Sequence, residues 1–377
     1  MSRPLAELAI VFFKLGATSF GGPAAHIALM EDEVVRRQKW LDHDEFLDLL
    51  GATNLIPGPN STEMALHIGR VRCGWKGLIV AGVASIAPAF ACVLALSYVY
   101  VRYGTRPEIS LVLDGVKPVM LAIVLQALVR LGRVALARPR AWVFGMAAFG
   151  LALAFSGQDV WILLGAGIVS LLAERLTGSR PRDLPRLSLL ALGAPAAVGV
   201  VAGPVTSGGL FLVFFKIGAT LFGSGYVLLS FLRTDLVLRL GWLSEGQLLD
   251  AVAVGQVTPG PLFTSATFVG YLLAGFPGAV AATVGIFLPA FLLVALSGPL
   301  VERLRRSSDV RAFLDGVNAS AVALMAVVTL ELFQAAAADR IRLLVFVAST
   351  ATLLLTKINS AWLILAGGLI GLVRSVA

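Results

Sequence analysis

The chain has 377 residues, 58% of them hydrophobic and only 14% charged, with a mean hydropathy of +0.89. A soluble protein carries about 25% charged residues, so the composition excludes that class and points to a polytopic integral membrane protein. The net charge of +8 is no sign of nucleic-acid binding, because the arginines lie in short clusters between apolar runs, where they set membrane topology.

Taken along the chain, helices are predicted over 3–20 and 24–38, separated by a break at Gly21-Gly22-Pro23. A second pair, 44–55 and 60–72, flanks Pro57-Gly58-Pro59. Four spans follow at 77–101, 109–130, 141–156 and 159–175. One extra hydrophobic segment, 187–203, leads into a second set in the same order: 208–222, 225–239, 244–257, 261–273, 278–302, 310–334, 341–355 and 358–374. The apolar runs 77–100, 187–202 and 278–300 reach or approach the roughly 20 residues that cross a bilayer. The N-terminus runs straight into this pattern, so no cleaved signal is expected. Cys73 and Cys92 are the two cysteines, too few for a disulfide framework or a Cys/His metal cluster. Neither a cofactor nor an enzymatic signature is found.

The elements repeat because the sequence does. FFKLGATSFGGP (12–23) returns as FFKIGATLFGSG (214–225), and NLIPGPNST (54–62) as QVTPGPLFT (256–264). Trp40-Leu41 returns as Trp242-Leu243. After a one-residue slip, Ala87-Pro88-Ala89-Phe90 matches Leu288-Pro289-Ala290-Phe291, and LDGV (113–116) recurs at 314–317. The organisation is a first transporter repeat (1–180), a linker with an extra transmembrane helix (181–207) and a second repeat (208–377). Membrane proteins built of two similar halves with Gly/Pro-broken helices bind their substrate where the halves meet.

The helices beside each Pro-Gly-Pro are about 12 residues, about 18 Å long, too short to span. They read as re-entrant hairpins, tolerated at depth only when buried or lining a cavity; the prolines forbid continuous helix through each tip. The fold class is all-α, an inverted two-fold repeat with re-entrant helical hairpins broken at Pro-Gly-Pro tips. Arg36, Arg37, Lys39, Arg70, Arg72 and Lys76, then Arg130, Arg133, Arg138 and Arg140, then Arg175, Arg180, Arg182 and Arg186, fall on one side. That side is cytoplasmic, and so is the N-terminus. Placing Arg303, Arg305, Arg306 and Arg311 there too inverts the second half, with 187–203 as the odd crossing. A parallel repeat, with 187–203 outside the membrane, is the alternative.

Helix N-termini carry unpaired amides and about half a positive charge, and they bind anions. Four such ends would converge, after Pro23, Pro59, Gly225 and Pro261. Gly21, Gly22, Gly58, Gly223, Gly225 and Gly260 let a ligand approach the backbone, or are packing kinks. Lys14 and Lys216 hold equivalent positions inside apolar helices, costly sites for a cation. Together they would neutralise a divalent anion, or each would snorkel to an interface. Replacing either by Ala is expected to reduce anion transport. Thr18, Thr220, Asn54, Gln256, Asn60, Ser61, Thr62 and Thr264 offer amide and hydroxyl donors at the breaks; Asn60, Ser61 and Thr62 equally suit helix caps. Only the first half carries His26, Glu63 and His67, against Leu228, Ser265 and Val269 in the second. They read as a proton-coupling element, with an ion pair between Glu63 and Arg70 as the alternative. Asp114 and Asp315 open the two LDGV turns, as caps or as partners of Lys117.

FFKLGATSFGGP with NLIPGPNS, and their repeats, resembles the chromate ion transporter family in its long, two-domain form, over nearly the whole chain. The resemblance implies proton-motive-force-driven export of chromate across the plasma (inner) membrane, chromate resistance, and a kinship with sulfate handling. The second half departs from the motif, with Ser224 and Gly225 for Gly22 and Pro23, so the first half is expected to carry more of the function. The expected partners are a chromate or sulfate oxyanion and the lipid bilayer, and a homodimer is compatible with the sequence. An anion channel on the same scaffold is the rival transport reading, and a membrane enzyme using Glu63, His26 and His67 the rival outside transport.

Overall fold

The computed structural model describes residues 3–19, 23–104, 106–155, 157–176, 205–222, 225–337, 339–356, 358 and 360–373. The segment 187–203 therefore lies outside the described residues, as do Gly21, Gly22 and Gly223. The rest is helical, and among the described residues there is no strand.

The first half comprises α1 (Arg3–Thr18), α2 (Pro23–Glu31), α3 (His43–Thr53), α4 (Asn60–Tyr103), α5 (Pro107–Ala135), α6 (Pro139–Ala154) and α7 (Asp159–Leu176). The second repeats that order as α8 (Ser207–Thr220), α9 (Leu228–Leu232), α10 (Glu245–Val257), α11 (Ser265–Arg306), α12 (Ser308–Ala337), α13 (Arg340–Leu355) and α14 (Ser360–Val373). Local chemistry sets the starts. Asp42 with Glu45, and Ser244 with Gln247, form capping boxes on α3 and α10. Proline stands in the first turn of α5 and α6, where its missing N–H is no loss.

The Trp-Leu repeat has a structural cause. α2 and α9 each continue into a wide π-helical turn, Asp32–Arg37 and Arg233–Arg239. Each turn closes on its tryptophan, whose amide donates to Val34 O or Leu236 O at 2.8 Å. The intervening residue, Lys39 or Gly241, has positive φ, 52° or 64°.

α4 is 44 residues long, about 66 Å if straight, twice a bilayer core. It is a hairpin. Cys73 and Gly74 leave helical geometry, and the legs fold back until a Cβ on Gly69 would lie 2.4 Å from Gly77 O. α11 does the same at Gly275 (φ 62°), with Gly270 against Gly278 O at 2.2 Å. The predicted pairs 60–72 with 77–101 and 261–273 with 278–302 are these legs. Long apolar helices at Asn60–Tyr103, Leu111–Ala135, Leu262–Leu296 and Ser308–Gln334 supply membrane-crossing length, and side chains such as Ile10, Trp75, Trp142 and Trp362 face outward.

Packing crosses between the halves. α6 and α7 lie against α12, and α13 and α14 against α5. The LDGV motif serves this exchange. It is not a turn: both copies lie inside helices, α5 and α12. A Cβ on Gly115 would sit 2.1 Å from Gly367 O of α14, and one on Gly316 2.4 Å from Ala166 O of α7. Asp114 pairs with Lys117 at 2.9 Å and with Arg342 of α13 at 3.3 Å, and Asp315 with Arg138 at the start of α6 at 2.5 Å. The start of α5 thus lies beside the end of α12 and the reverse, so these two helices are antiparallel.

Candidate functional site

The breaks meet. Gly58 N donates to Leu221 O at 2.8 Å, and Gly260 N donates to Ser19 O at 2.9 Å. Each Pro-Gly-Pro tip is therefore bonded to the helix break of the other half. Both tip glycines have the φ that L side chains avoid, 140° at Gly58 and 100° at Gly260. Their amides are spent on these carbonyls, which leaves anion contact to the next residues along. α4 begins at Asn60 with Pro59 as its N-cap and no side-chain cap. Asn60 instead donates to Asn54 Oδ1 at 3.0 Å, and Asn54 to Leu50 O at 3.2 Å.

A cavity of about 480 Å³ opens beside the tips, lined by Asn54, Pro59, Asn60, Ser61, Gly225 and Pro261 and by Arg130 of α5 and Asp315, Asn318, Ala321 and Val322 of α12. It falls within the range of small-ligand sites. Tyr226, also in the wall, is hydrogen-bonded to Gln256. Arg130 is the residue that sequence reasoning missed as a site residue. It was read only as a topology charge, and it is exposed in the wall with no carboxylate partner among the described residues. Its position four residues past Gln126 on α5 gave no motif to notice.

The repeated lysines differ. Lys216 is buried (6% exposed) and bonded to both oxygens of Asp235, at 2.9 and 3.0 Å. Lys14 is exposed on the outer face of α1. Neither lines the cavity. Thr18 and Thr220 donate back to Lys14 O and Lys216 O at 2.8 Å, and Thr264 to Pro261 O at 2.8 Å.

Glu63, on the first turn of α4, is 0% exposed, and neither oxygen has a hydrogen-bond partner among the described residues. The tip folds over it, so that a Cβ on Gly58 would fall 2.4 Å from Glu63 Oε1. Arg70 does not reach it; it donates to Val294 O and, at 2.8 Å, to Ala295 O. Ala295 O needs that donor, because residue 299 is proline and has no N–H to give. His67 lies one turn beyond Glu63, with Nε2 buried and unpartnered, as is Thr62 Oγ1. His26 is buried against the Ser19 backbone, on a void of about 10 Å³, water-sized at most, that Ser61, Thr62, Ser85 and Gly260 also line. Ser61 borders both this void and the main cavity.

The model of the chromate transporter family matches the chain twice, over residues 6–171 and 208–372. The chain belongs to the chromate transporter family. It is 34% identical over 394 residues to a "Chromate transport protein" of Pseudomonas aeruginosa, covering 98% of this chain and 92% of that one. A "Chromate transport protein" of Cupriavidus metallidurans is 32% identical over 378 residues, covering 98% and 93%. A "Probable chromate transport protein" of Synechococcus elongatus is 30% identical over 330 residues, covering 85% and 83%. No solved structure matches. Within this family frame the chain is a multi-pass membrane transport protein, and the cavity at the crossed tips is its candidate oxyanion site.

Proposed function

We propose that this chain is a secondary active transporter that exports chromate from the cytoplasm across the plasma membrane, driven by the proton-motive force. The observation that carries the reading is the crossed pair Gly58 N to Leu221 O and Gly260 N to Ser19 O, which gathers the helix breaks beside one cavity. A tetrahedral oxyanion there meets the start of α4, the amide and hydroxyl groups of Asn54, Asn60 and Ser61, and the Arg130 guanidinium. Helix N-termini and guanidinium groups are matched to such an anion.

Several contacts support an inverted repeat with re-entrant hairpins. Equivalent helices α5 and α12 run antiparallel, as a two-fold axis in the membrane plane requires. Glu7 near the start of α1 contacts Arg72 at 3.7 Å, and Glu31 at the end of α2 contacts His43 at 3.3 Å. Both open ends of the α1–α2 pair are thus at the base of the first hairpin, while Ser19 reaches the opposite tip. With the arginine clusters inside, the N-terminus is cytoplasmic and the cavity opens inward. Glu63 is the proton carrier: a carboxyl that no group among the described residues neutralises, at the tip that closes the site.

The test is uptake of labelled chromate into everted membrane vesicles, with and without an imposed proton gradient and with sulfate as competitor. Gradient-dependent uptake supports export. Uptake indifferent to the gradient would mean a channel, and stronger inhibition by sulfate than by unlabelled chromate would reassign the substrate. No uptake by folded protein sinks the chromate assignment.

A further inference from the structure

Equivalent positions at the two ends of the molecule carry a pair of opposite charges, joined at one end and parted at the other. In the Trp-Leu register Glu31 corresponds to Arg233, and in the LDGV register Arg130 corresponds to Glu331. In the second half Arg233 donates to Glu331 of α12 and, at 2.7 Å, to Glu245 at the start of α10. α9 packs on α12 there, and α10 on α5, and the cavity left at that end, lined by Lys117, Glu245 and Glu331, is smaller, about 300 Å³.

In the first half the polarity is reversed, acid on α2 and arginine on α5, and the two are not bonded. Glu31 contacts His43, which stands where Glu245 stands in the second half. Arg130 of α5 and Ile27 of α2 both line the cavity. Ile27 and Glu31 are four residues apart and share a face of α2. Glu31 thus stands one helical turn from a residue of the cavity that Arg130 lines.

We propose that Arg130 exchanges partners during transport: it holds the oxyanion in the open state described here, and it pairs with Glu31 when α2 closes on α5 as α9 already lies on α12. This deepens the alternating-access reading above and rests on it. Both partners are anionic and compete for one guanidinium, so closing the cytoplasmic end releases the anion from its strongest cation. The same step opens the other end by parting Arg233 from Glu331.

Two measurements on the full-length chain, with Cys73→Ser and Cys92→Ser, test the exchange. The first is copper-phenanthroline oxidation of Glu31→Cys/Arg130→Cys, read by mass spectrometry of the linked peptide. A disulfide is expected, and dithiothreitol is expected to cleave it. Ile10→Cys/Arg130→Cys, with one thiol on the outer face of α1, is expected not to link. No Glu31–Arg130 disulfide, although each single cysteine is labelled by maleimide, overturns the gate. The second is the thermal shift that chromate gives the purified protein. Arg130→Gln is expected to raise the half-saturating concentration at least tenfold, and Arg130→Lys less. An unchanged value, or no shift in the wild-type protein, overturns the exchange. The disulfide forms without substrate, so linkage in the double-cysteine variant together with no chromate movement by the wild-type protein in vesicles removes the substrate assignment and keeps the gate.

Discussion

Glu63 and Lys216 are both buried ionisable side chains in apolar surroundings, and they differ in what the fold gives them. Lys216 has Asp235, close to both oxygens, with Arg239 a further 3.4 Å from Asp235 Oδ1. Removing one member of a buried pair strands the other charge and costs about 3–5 kcal/mol. Lys216→Ala is thus expected to lower the melting temperature of the purified protein, while Lys216→Met/Asp235→Leu recovers most of the loss. Any transport defect of the single variant then reports stability first, which separates Lys216 from the exposed Lys14. Glu63 has no partner to strand. Glu63→Gln keeps its shape beneath Gly58, so the expected outcome is a folded transporter whose vesicle uptake no longer responds to the proton gradient. Gradient-dependent uptake by that variant would remove Glu63 from the coupling.

At the scale of elements, the folded-back helices α4 and α11 carry the architecture of each half. Their legs touch backbone to backbone at Gly69–Gly77 and Gly270–Gly278, a closeness that any side chain would prevent. Gly69→Leu is expected to splay the first hairpin and displace its tip. The cost is that of gross overpacking, about 1–3 kcal/mol or more, read as a lower melting temperature together with lost chromate binding. Much of this level was legible in the sequence. Proline and glycine punctuate the chain plainly at the breaks, Gly21-Gly22-Pro23, Pro57-Gly58-Pro59 and Pro259-Gly260-Pro261. The LDGV motif was not legible as a helix. Its Asp and Gly are typical turn residues, but here the Gly admits a crossing helix and the Asp binds an arginine from the other half, both facts of packing between segments far apart in the chain.

For the whole molecule the deciding question is the direction of the halves. Gly74 and Gly275 turn equivalent hairpins, and neither position has any atom within contact range of an added Cβ. Cysteines placed there in the Cys73→Ser/Cys92→Ser background are expected to be labelled by an impermeant maleimide from opposite faces, Gly275→Cys in intact cells and Gly74→Cys in everted vesicles. Labelling from one face only would mean a parallel repeat. The candidate site shows the same limit of sequence reading as LDGV does. Asn54, Asn60, Ser61 and Gly225 were found because they sit in repeated motifs. Arg130 was not, because its counterpart is Glu331 and a search for likeness passes over a position whose charge is reversed.

The exchange of helices between the halves also sets an order in time. When α7 has been made, the surface it needs on α12 does not yet exist; the chain must grow by well over a hundred residues first. At about 5–20 residues per second, α6 and α7 wait in the bilayer for roughly ten seconds or more with only lipid against their glycines. The first half is thus an orphan throughout synthesis of the second, exposed to the membrane's proteases and insertases until α12 arrives. A ribosomal pause between the halves would lengthen that exposure, so the yield of this protein depends on the pace of its translation as well as on its final stability.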